Sequence, residues 1–149
     1  MSRANGPNAA VSTERVLSAS PRKVFTAFEQ PGQLARWWGP KDFTNPFEQF
    51  ECRPGGRWVF VMHGPNGADC PNESVFREIQ PHTRIVIEHV VEPWFTLTVT
   101  LTARGDQTHV AWVQECESPT VAAKMRHLSG TANEQVLDRL QALLASEGA

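Results

Sequence analysis

The chain has 149 residues, of which 40% are apolar, and its 14 basic and 16 acidic side chains give a formal net charge of −2. A chain of this length suits one domain and buries roughly 70% of its unfolded surface, so a sizeable core can form without staples. Because the balance of charge is slightly acidic, the composition argues against a protein that binds nucleic acid or anionic membranes by bulk charge.

The three cysteines predict neither disulfide pairing nor metal binding. Cys52, Cys70 and Cys116 are an odd set without a CxxC motif or a zinc-finger histidine spacing, so we expect no disulfide framework and no metal site. A reducing cytoplasm fits this pattern best. The first ten residues lack the apolar core of a signal peptide, and no later stretch has 18 apolar residues in a row, so neither export nor membrane insertion is expected.

The N-terminal part predicts a tail, a strand and two short helices. Residues 1–10 are polar and contain Gly and Pro, and we interpret them as a disordered tail before a single domain at 11–149. A strand follows at 11–19. Ser20-Pro21 is an N-cap followed by Pro at the first helical position, which predicts a short helix. A second Pro one turn later predicts another helix over 31–38, which Gly39-Pro40 ends.

From residue 43 the hydrophobic pattern changes from helical to alternating. The clearest example is FTLTVTLT, where Phe95, Leu97, Val99 and Leu101 share one face and four threonines share the other. Pro/Gly pairs separate such segments, which is typical of strands joined by tight turns. The strands are expected at 44–51, 57–63, 73–79, 83–91, 95–103 and 107–115.

After Ser118-Pro119 the pattern is helical until near Ser146, with apolar residues three or four apart. Gly130 weakens the middle, and Thr131 to Glu134 has the form of a capping box that would restart a helix. One kinked helix and two consecutive helices both remain open.

The order of elements predicts an antiparallel meander, because consecutive strands are joined by turn-sized loops. The apolar face of such a sheet needs a cover, and the last helix is the long amphipathic element that can supply it. The sheet is therefore expected to curl around this helix. Space left between the two would be a small-molecule cavity that is mostly apolar with a few polar groups.

Several segments together resemble the START-like, Bet v 1-like superfamily, and most closely its branch named after the C-terminal domain of the activator of the Hsp90 ATPase. The resemblance covers about residues 12–145. It rests on SPRKVFTAF, QLARWWGP, ECRPGGRWVFVMHGPNG, VFREIQPHTRIVIEH, FTLTVTLT with QTHVAWVQ, and EQVLDRLQALLA, in this order. It implies an α+β helix-grip fold with a curved antiparallel sheet around a long C-terminal helix and two short helices after the first strand.

Two positions depart from the pattern of the family that the chain resembles. Many relatives carry a Gly-Trp pair early in the last helix, whereas this chain has Ala132-Asn133. Similar proteins often have an aromatic residue before the Pro-Asn of the loop after GPNG, and here that residue is Cys70. Both positions concern the lining or the rim of the expected cavity, so they bear on the identity of the ligand.

We predict that a set of large apolar residues, with one glutamine, lines this cavity. Trp37 and Trp38 precede Gly39-Pro40 and are expected to form a lid, since two indole rings can stack on a planar ligand. The alternative is that one of these tryptophans is ordinary core and the other packs under a loop. The full predicted set is Trp37, Trp38, Trp58, Phe60, Met62, Phe95, Leu97, Val99, Trp112, Gln114, Met125 and Leu128.

Three polar residues are the candidates for catalysis. His63, His89 and Asp69 end strands or flank a loop where they could approach the cavity mouth, and a histidine can act as general acid or base near neutral pH. The competing interpretation, a structural histidine at a strand end, is the favoured one. No nucleophilic triad motif is present, and we expect neither a metal nor a cofactor.

Three functions follow in order of preference. The first is the binding of a small apolar or aromatic molecule, and the second is a cofactor-free enzyme of the cyclase, dehydratase or hydrolase type. The third, implied by the resemblance alone, is a co-chaperone module. A chaperone partner is not expected, because one domain leaves no room for the additional N-terminal domain of the eukaryotic activators. A homodimer remains open.

Overall fold

The computed structural model describes residues 9–39, 42–67, 69–91 and 94–147, without the side chains of 127–131 and 147. Its elements lie in the predicted order. They are β1 (Ala10–Leu17), α1 (Pro21–Glu29), α2 (Pro31–Trp37), β2 (Phe47–Phe50), β3 (Arg57–His63), β4 (Asp69–Gln80), β5 (Arg84–His89), β6 (Phe95–Arg104), β7 (Gln107–Cys116) and α3 (Pro119–Glu147).

The strands form one antiparallel, curved and unclosed sheet in the order β1-β7-β6-β5-β4-β3-β2. Consecutive strands are neighbours, as a meander requires, except that β1 lies beside β7 at one edge. The concave face packs against α3, and α1 and α2 contribute to the same core. The predicted α+β helix-grip fold is therefore confirmed.

Helices α1 and α3 begin where the sequence predicted, and a serine caps the start of each. The Ser20 side chain accepts a hydrogen bond from the Lys23 N–H at 3.3 Å, and Pro21 is the first residue of α1. Ser118 caps α3 in the same way through the Val121 N–H at 3.2 Å. Each cap satisfies a backbone donor that lacks a partner within its own helix.

The long helix is one continuous element of 29 residues, so it does not restart at the predicted capping box. The Glu134 carboxylate accepts a hydrogen bond from Arg15 of β1 at 2.8 Å instead of capping a helix end. Packing along the whole sheet overrides the local weakness at Gly130, because each further turn of the helix buries more apolar surface.

Strand β4 begins four residues earlier than the sequence predicted. Pro71 and Asn72 suggested a loop, but Met62 pairs with Cys70 and Val61 pairs with Pro71 across the β3–β4 ladder. A proline is tolerated here because the pairing of β4 with β5 begins only at Ser74. This extension brings Cys70 and Asn72 to the concave face.

Strand β1 begins one residue before the predicted boundary between the tail at 1–10 and the domain at 11–149. Ala9 is buried and Ala10 opens β1, while residues 1–8 lie outside the part that the structure describes. At the other end of the sheet, β2 is shorter than predicted, and Thr44 makes only an isolated bridge to His63. Within the described ranges, no helix has both the length and the apolar character needed to cross a membrane.

Candidate functional site

A cavity of about 420 Å³ lies between the concave face of the sheet, the first half of α3 and the segment that follows α2. Five neighbouring strands supply its floor and walls. The described residues that line it are Trp38, Gly39, Phe43, Phe60, Met62, Cys70, Asn72, Ser74, Ile87, His89, Phe95, Leu97, Trp112, Gln114, Met125, Ala132, Asn133 and Val136.

Strand alternation explains why these side chains converge. Residues directly opposite each other in an antiparallel pair point to the same face. Leu97 lies opposite Gln114 across the β6–β7 ladder, and Phe60 lies opposite Asn72 across the β3–β4 ladder. The register thus places one polar side chain beside an apolar one at each of these points.

The cavity contains two polar pairs in otherwise apolar walls. Asn133 Nδ2 of α3 donates to Gln114 Oε1 of β7 at 2.8 Å, and both side chains are buried. On the β4–β5 side, His89 Nε2 lies 2.8 Å from Asn72 Oδ1. The His89 ring also stacks on Phe95, with centroids 4.6 Å apart and planes at 14°. These contacts hold the histidine ring in one orientation.

The segment after α2 covers the cavity and is held from two sides. Arg139 of α3 donates to the carbonyl oxygens of Arg36, Trp38 and Gly39 at 2.7, 3.0 and 2.8 Å. Asn45 Nδ2 donates to the Trp38 carbonyl at 2.7 Å. The backbone groups at the end of α2 therefore find side-chain partners, as the end of a helix requires.

This arrangement has an electrostatic cost and a steric requirement. Burial lowers the pKa of Arg139, although the carboxylate of Asp42 opposes the shift. Gly39 has a φ of 87°, and a Cβ there would lie 2.9 Å from Met62 Cε and 3.1 Å from Asn45 Oδ1. Glycine adopts this conformation without the strain that a Cβ would bring, and a Cβ here would also require the Met62 side chain to shift.

Most of the predicted cavity residues line the cavity. Eight of the twelve predicted residues do so, namely Trp38, Phe60, Met62, Phe95, Leu97, Trp112, Gln114 and Met125.

Trp37, Trp58 and Val99 belong to the packed core instead, with 0–1% of each residue exposed. Trp37 Nε1 donates to the Ala27 carbonyl at 3.0 Å, which fixes its ring against α1. Alternation and helical spacing predicted the face correctly, but position along the sheet decides between solid core and open cavity. The side chain of Leu128, the remaining member of the predicted set, lies outside the described residues.

The three catalytic candidates do not come together. His89 lines the cavity. His63 and Asp69 are absent from the lining and form an exposed pair, with 2.6 Å between Nδ1 and Oδ1 and side chains 42% and 62% exposed. They follow Met62 and precede Cys70, both of which line the cavity, so strand alternation directs them to the other face.

Sequence reasoning did not select several residues that the structure places in the lining. Ser74 and Ile87 share the strand parity of neighbours already assigned to the concave face, so alternation alone could have found them. Val136 lies three positions after Asn133 on α3, and because Asn133 was already expected at the lining or the rim, this helical spacing also carried the information. Phe43 lies in a segment without a regular pattern, and no local signal identifies it.

All three positions at which the chain departs from the family pattern line the cavity, namely Cys70, Ala132 and Asn133.

Within the described ranges, no three histidine, cysteine or acidic side chains come together as metal ligands. The chemistry available at this site is therefore that of neutral polar side chains, one imidazole and one exposed thiol.

The sequence model of the family described as Activator of Hsp90 ATPase homolog 1-like protein matches residues 18–145. The chain belongs to this family, as its motifs predicted. No curated protein matches the chain closely enough to count as a relative.

Solved structures share the fold over almost the whole chain. A Nitrosomonas europaea protein is similar with a TM-score of 0.87 at 20% identity, covering 95% of this chain and 97% of that one. An Arthrobacter aurescens protein is similar with a TM-score of 0.86 at 23% identity, covering 93% of this chain and 87% of that one. A Chromobacterium violaceum protein is similar with a TM-score of 0.80 at 25% identity, covering 90% of this chain and 96% of that one.

Proposed function

We propose that this chain binds a small apolar or aromatic molecule in the cavity beneath Trp38. The observation that carries the proposal is the cavity itself, whose volume of about 420 Å³ falls within the usual range of roughly 300–1,000 Å³ for ligand pockets. Sites of this kind combine apolar walls with a few polar groups that orient the ligand. The two polar pairs of the cavity correspond to such groups.

Aromatic rings in the lining of the cavity favour a planar guest. Trp38 and Trp112 contact each other, with ring centroids 5.7 Å apart and planes at 36°, and Phe95 is stacked on His89. Rings in these orientations present faces and edges that suit offset stacking or edge contacts with another ring. The transfer of apolar surface from water to these walls supplies the main driving force for binding.

The proposal is tested with the neutral fluorescent probe N-phenyl-1-naphthylamine. We expect its emission to rise on binding to the native chain, and the rise to be lost in Ala132→Phe, which adds a ring to the lining. Ala123→Phe is the matched control, because Ala123 is an exposed residue of the same helix. Near-ultraviolet circular dichroism checks that both variants keep native tertiary packing.

Saturable binding that Ala132→Phe removes and Ala123→Phe keeps would support the proposal. A folded native chain that leaves the probe emission unchanged over a wide concentration range would contradict it. Equal binding by both variants would place the probe elsewhere on the chain and would also contradict it.

A second candidate function is acid–base catalysis by His89, with the cavity holding the substrate. The observation that favours it is the buried imidazole ring of His89, which lines the cavity and is oriented by its contact with Asn72. A positioned histidine contributes roughly 10²- to 10⁴-fold to proton transfer. Turnover of a cyclase, dehydratase or hydrolase substrate that His89→Gln abolishes, while probe binding persists, would favour this function over simple binding.

We further propose the cytoplasm as the location and residues 11–149 as one domain. The thiols of Cys52, Cys70 and Cys116 are free, which agrees with a reducing compartment. A co-chaperone role stays the least favoured, because it rests on the family description alone and a fold does not dictate function.

A further inference from the structure

The walls of the cavity carry no fixed charge. Among the described residues that line it there is no lysine, arginine, aspartate or glutamate. Transfer of a carboxylate from water into an apolar site is strongly unfavourable unless a cation or several donors compensate it. A ligand that is neutral therefore fits this cavity better than a fatty acid or an aromatic carboxylate of the same size.

The Gln114–Asn133 pair defines what kind of polar group such a ligand carries. A side-chain amide offers two donor hydrogens and a carbonyl acceptor. The bond from Asn133 Nδ2 to Gln114 Oε1 uses one donor hydrogen and engages one acceptor. Gln114 Nε2 still offers a donor and Asn133 Oδ1 still offers an acceptor. The complement of this pair is a group that contains both an acceptor and a donor.

We infer that the cavity selects neutral aromatic molecules that carry a carboxamide-like group, and that Gln114 and Asn133 bind this group. The inference rests on the proposed function, since it names the ligand class of the same site. The ring of the ligand lies among Trp38, Phe60 and Phe95. The amide of the ligand donates to Asn133 Oδ1 and accepts from Gln114 Nε2, so that each of the two side chains gains a partner.

Three naphthalenes that share one ring system test the inference. They are 2-ethylnaphthalene, naphthalene-2-carboxamide and 2-naphthoate, and each is measured at about pH 8 by displacement of N-phenyl-1-naphthylamine and by calorimetry. We expect the carboxamide to bind the native chain at least ~10-fold more tightly than the carboxylate, because the charge of the latter is not compensated.

Two independent variants then assign the polar group. In Gln114→Leu and in Asn133→Leu, the affinity for the carboxamide is expected to fall by roughly 10-fold, because a ligand polar group is left without a partner. The affinity for 2-ethylnaphthalene is expected to change by less than about 2-fold, since this ligand makes no hydrogen bond. Gln107→Leu is the control, because Gln107 is an exposed residue of the same strand.

The outcomes separate this inference from the proposed function. If 2-ethylnaphthalene binds but the carboxamide binds no better than the carboxylate, the ligand class is wrong and the proposed function stands. If both leucine variants keep the carboxamide affinity relative to 2-ethylnaphthalene, the assignment of Gln114 and Asn133 is wrong. If none of the three naphthalenes nor the probe binds, the proposed function fails and the inference fails with it. The comparison of the three ligands on the native chain needs no variant to fold.

Discussion

The two halves of α3 cover the same sheet, yet one half closes on a solid core and the other leaves a cavity. Leu137, Leu140 and Leu144 are 0–5% exposed and belong to the main core cluster. Ala132 and Asn133, one turn earlier, line the cavity. Ala132 has only a methyl group to fill the space toward the sheet, and Asn133 meets β7 through its hydrogen bond to Gln114 rather than through a large apolar group, so the volume of the helix side chains decides where open space remains.

The largest expected effect is on stability at the packed end. Leu140→Ala removes a completely buried side chain and should lower the free energy of unfolding by about 2–5 kcal/mol. Met125→Ala at the cavity end should cost less than half as much, because Met125 is only half-buried and already borders empty space. Urea denaturation monitored by tryptophan fluorescence measures both. Equal costs would show that the two ends are packed alike.

The reactivity of two cysteines compares the cavity with the packed core without a mutation in either. Cys70 lies exposed at the cavity, whereas burial raises the pKa of Cys52 at the edge of the core from 9.0 to about 11. At pH 8, a thiol whose pKa is two units higher has a ~100-fold smaller fraction in the reactive thiolate form. Iodoacetamide labelling followed by mass spectrometry should therefore modify Cys70 long before Cys52. Bound N-phenyl-1-naphthylamine should slow the labelling of Cys70, while labelling of Cys52 at or above the Cys70 rate would contradict the burial.

Arg139 connects the two regions, because it lies beside the packed half of α3 and holds the cover of the cavity. Arg139→Gln should lower the free energy of unfolding by about 1–2 kcal/mol, since carbonyl oxygens at the end of α2 lose charged donors. Probe dissociation should become several-fold faster as Trp38 loosens. Stopped-flow fluorescence measures the rate, with Arg126→Gln, an exposed residue of α3, as the control. An unchanged dissociation rate would mean that the cover does not limit ligand release.

The smallest effect is expected on the outer side of α3. Arg15 of β1 forms ion pairs with Glu134 at 2.8 Å and Asp138 at 2.6 Å, and the Asp138 side chain is 68% exposed. Asp138→Asn should cost no more than about 1 kcal/mol, because water and salt screen such pairs. Thermal unfolding at low and high salt measures the difference. A loss comparable to that of Leu140→Ala would show that this pair, rather than the leucine core, fixes α3 on the sheet.

Local patterns determined which elements form and which way most side chains face. The alternation of FTLTVTLT predicted the buried face of β6, and serine–proline pairs predicted the start of α1 and α3. These signals suffice because side-chain direction in a strand or a helix is a property of the backbone over a few residues. The helix-grip fold could be predicted once the order of elements and the family motifs were combined.

The depth of each residue was decided only by the tertiary structure. Trp37 and Trp38 are neighbours in the chain, but one is sealed in the core and the other borders the cavity. The early start of β4 likewise depended on its pairing with β3, which placed Cys70 inside the concave face. Whether a side chain meets another atom or empty space depends on contacts between segments far apart in sequence, and no local periodicity carries that information.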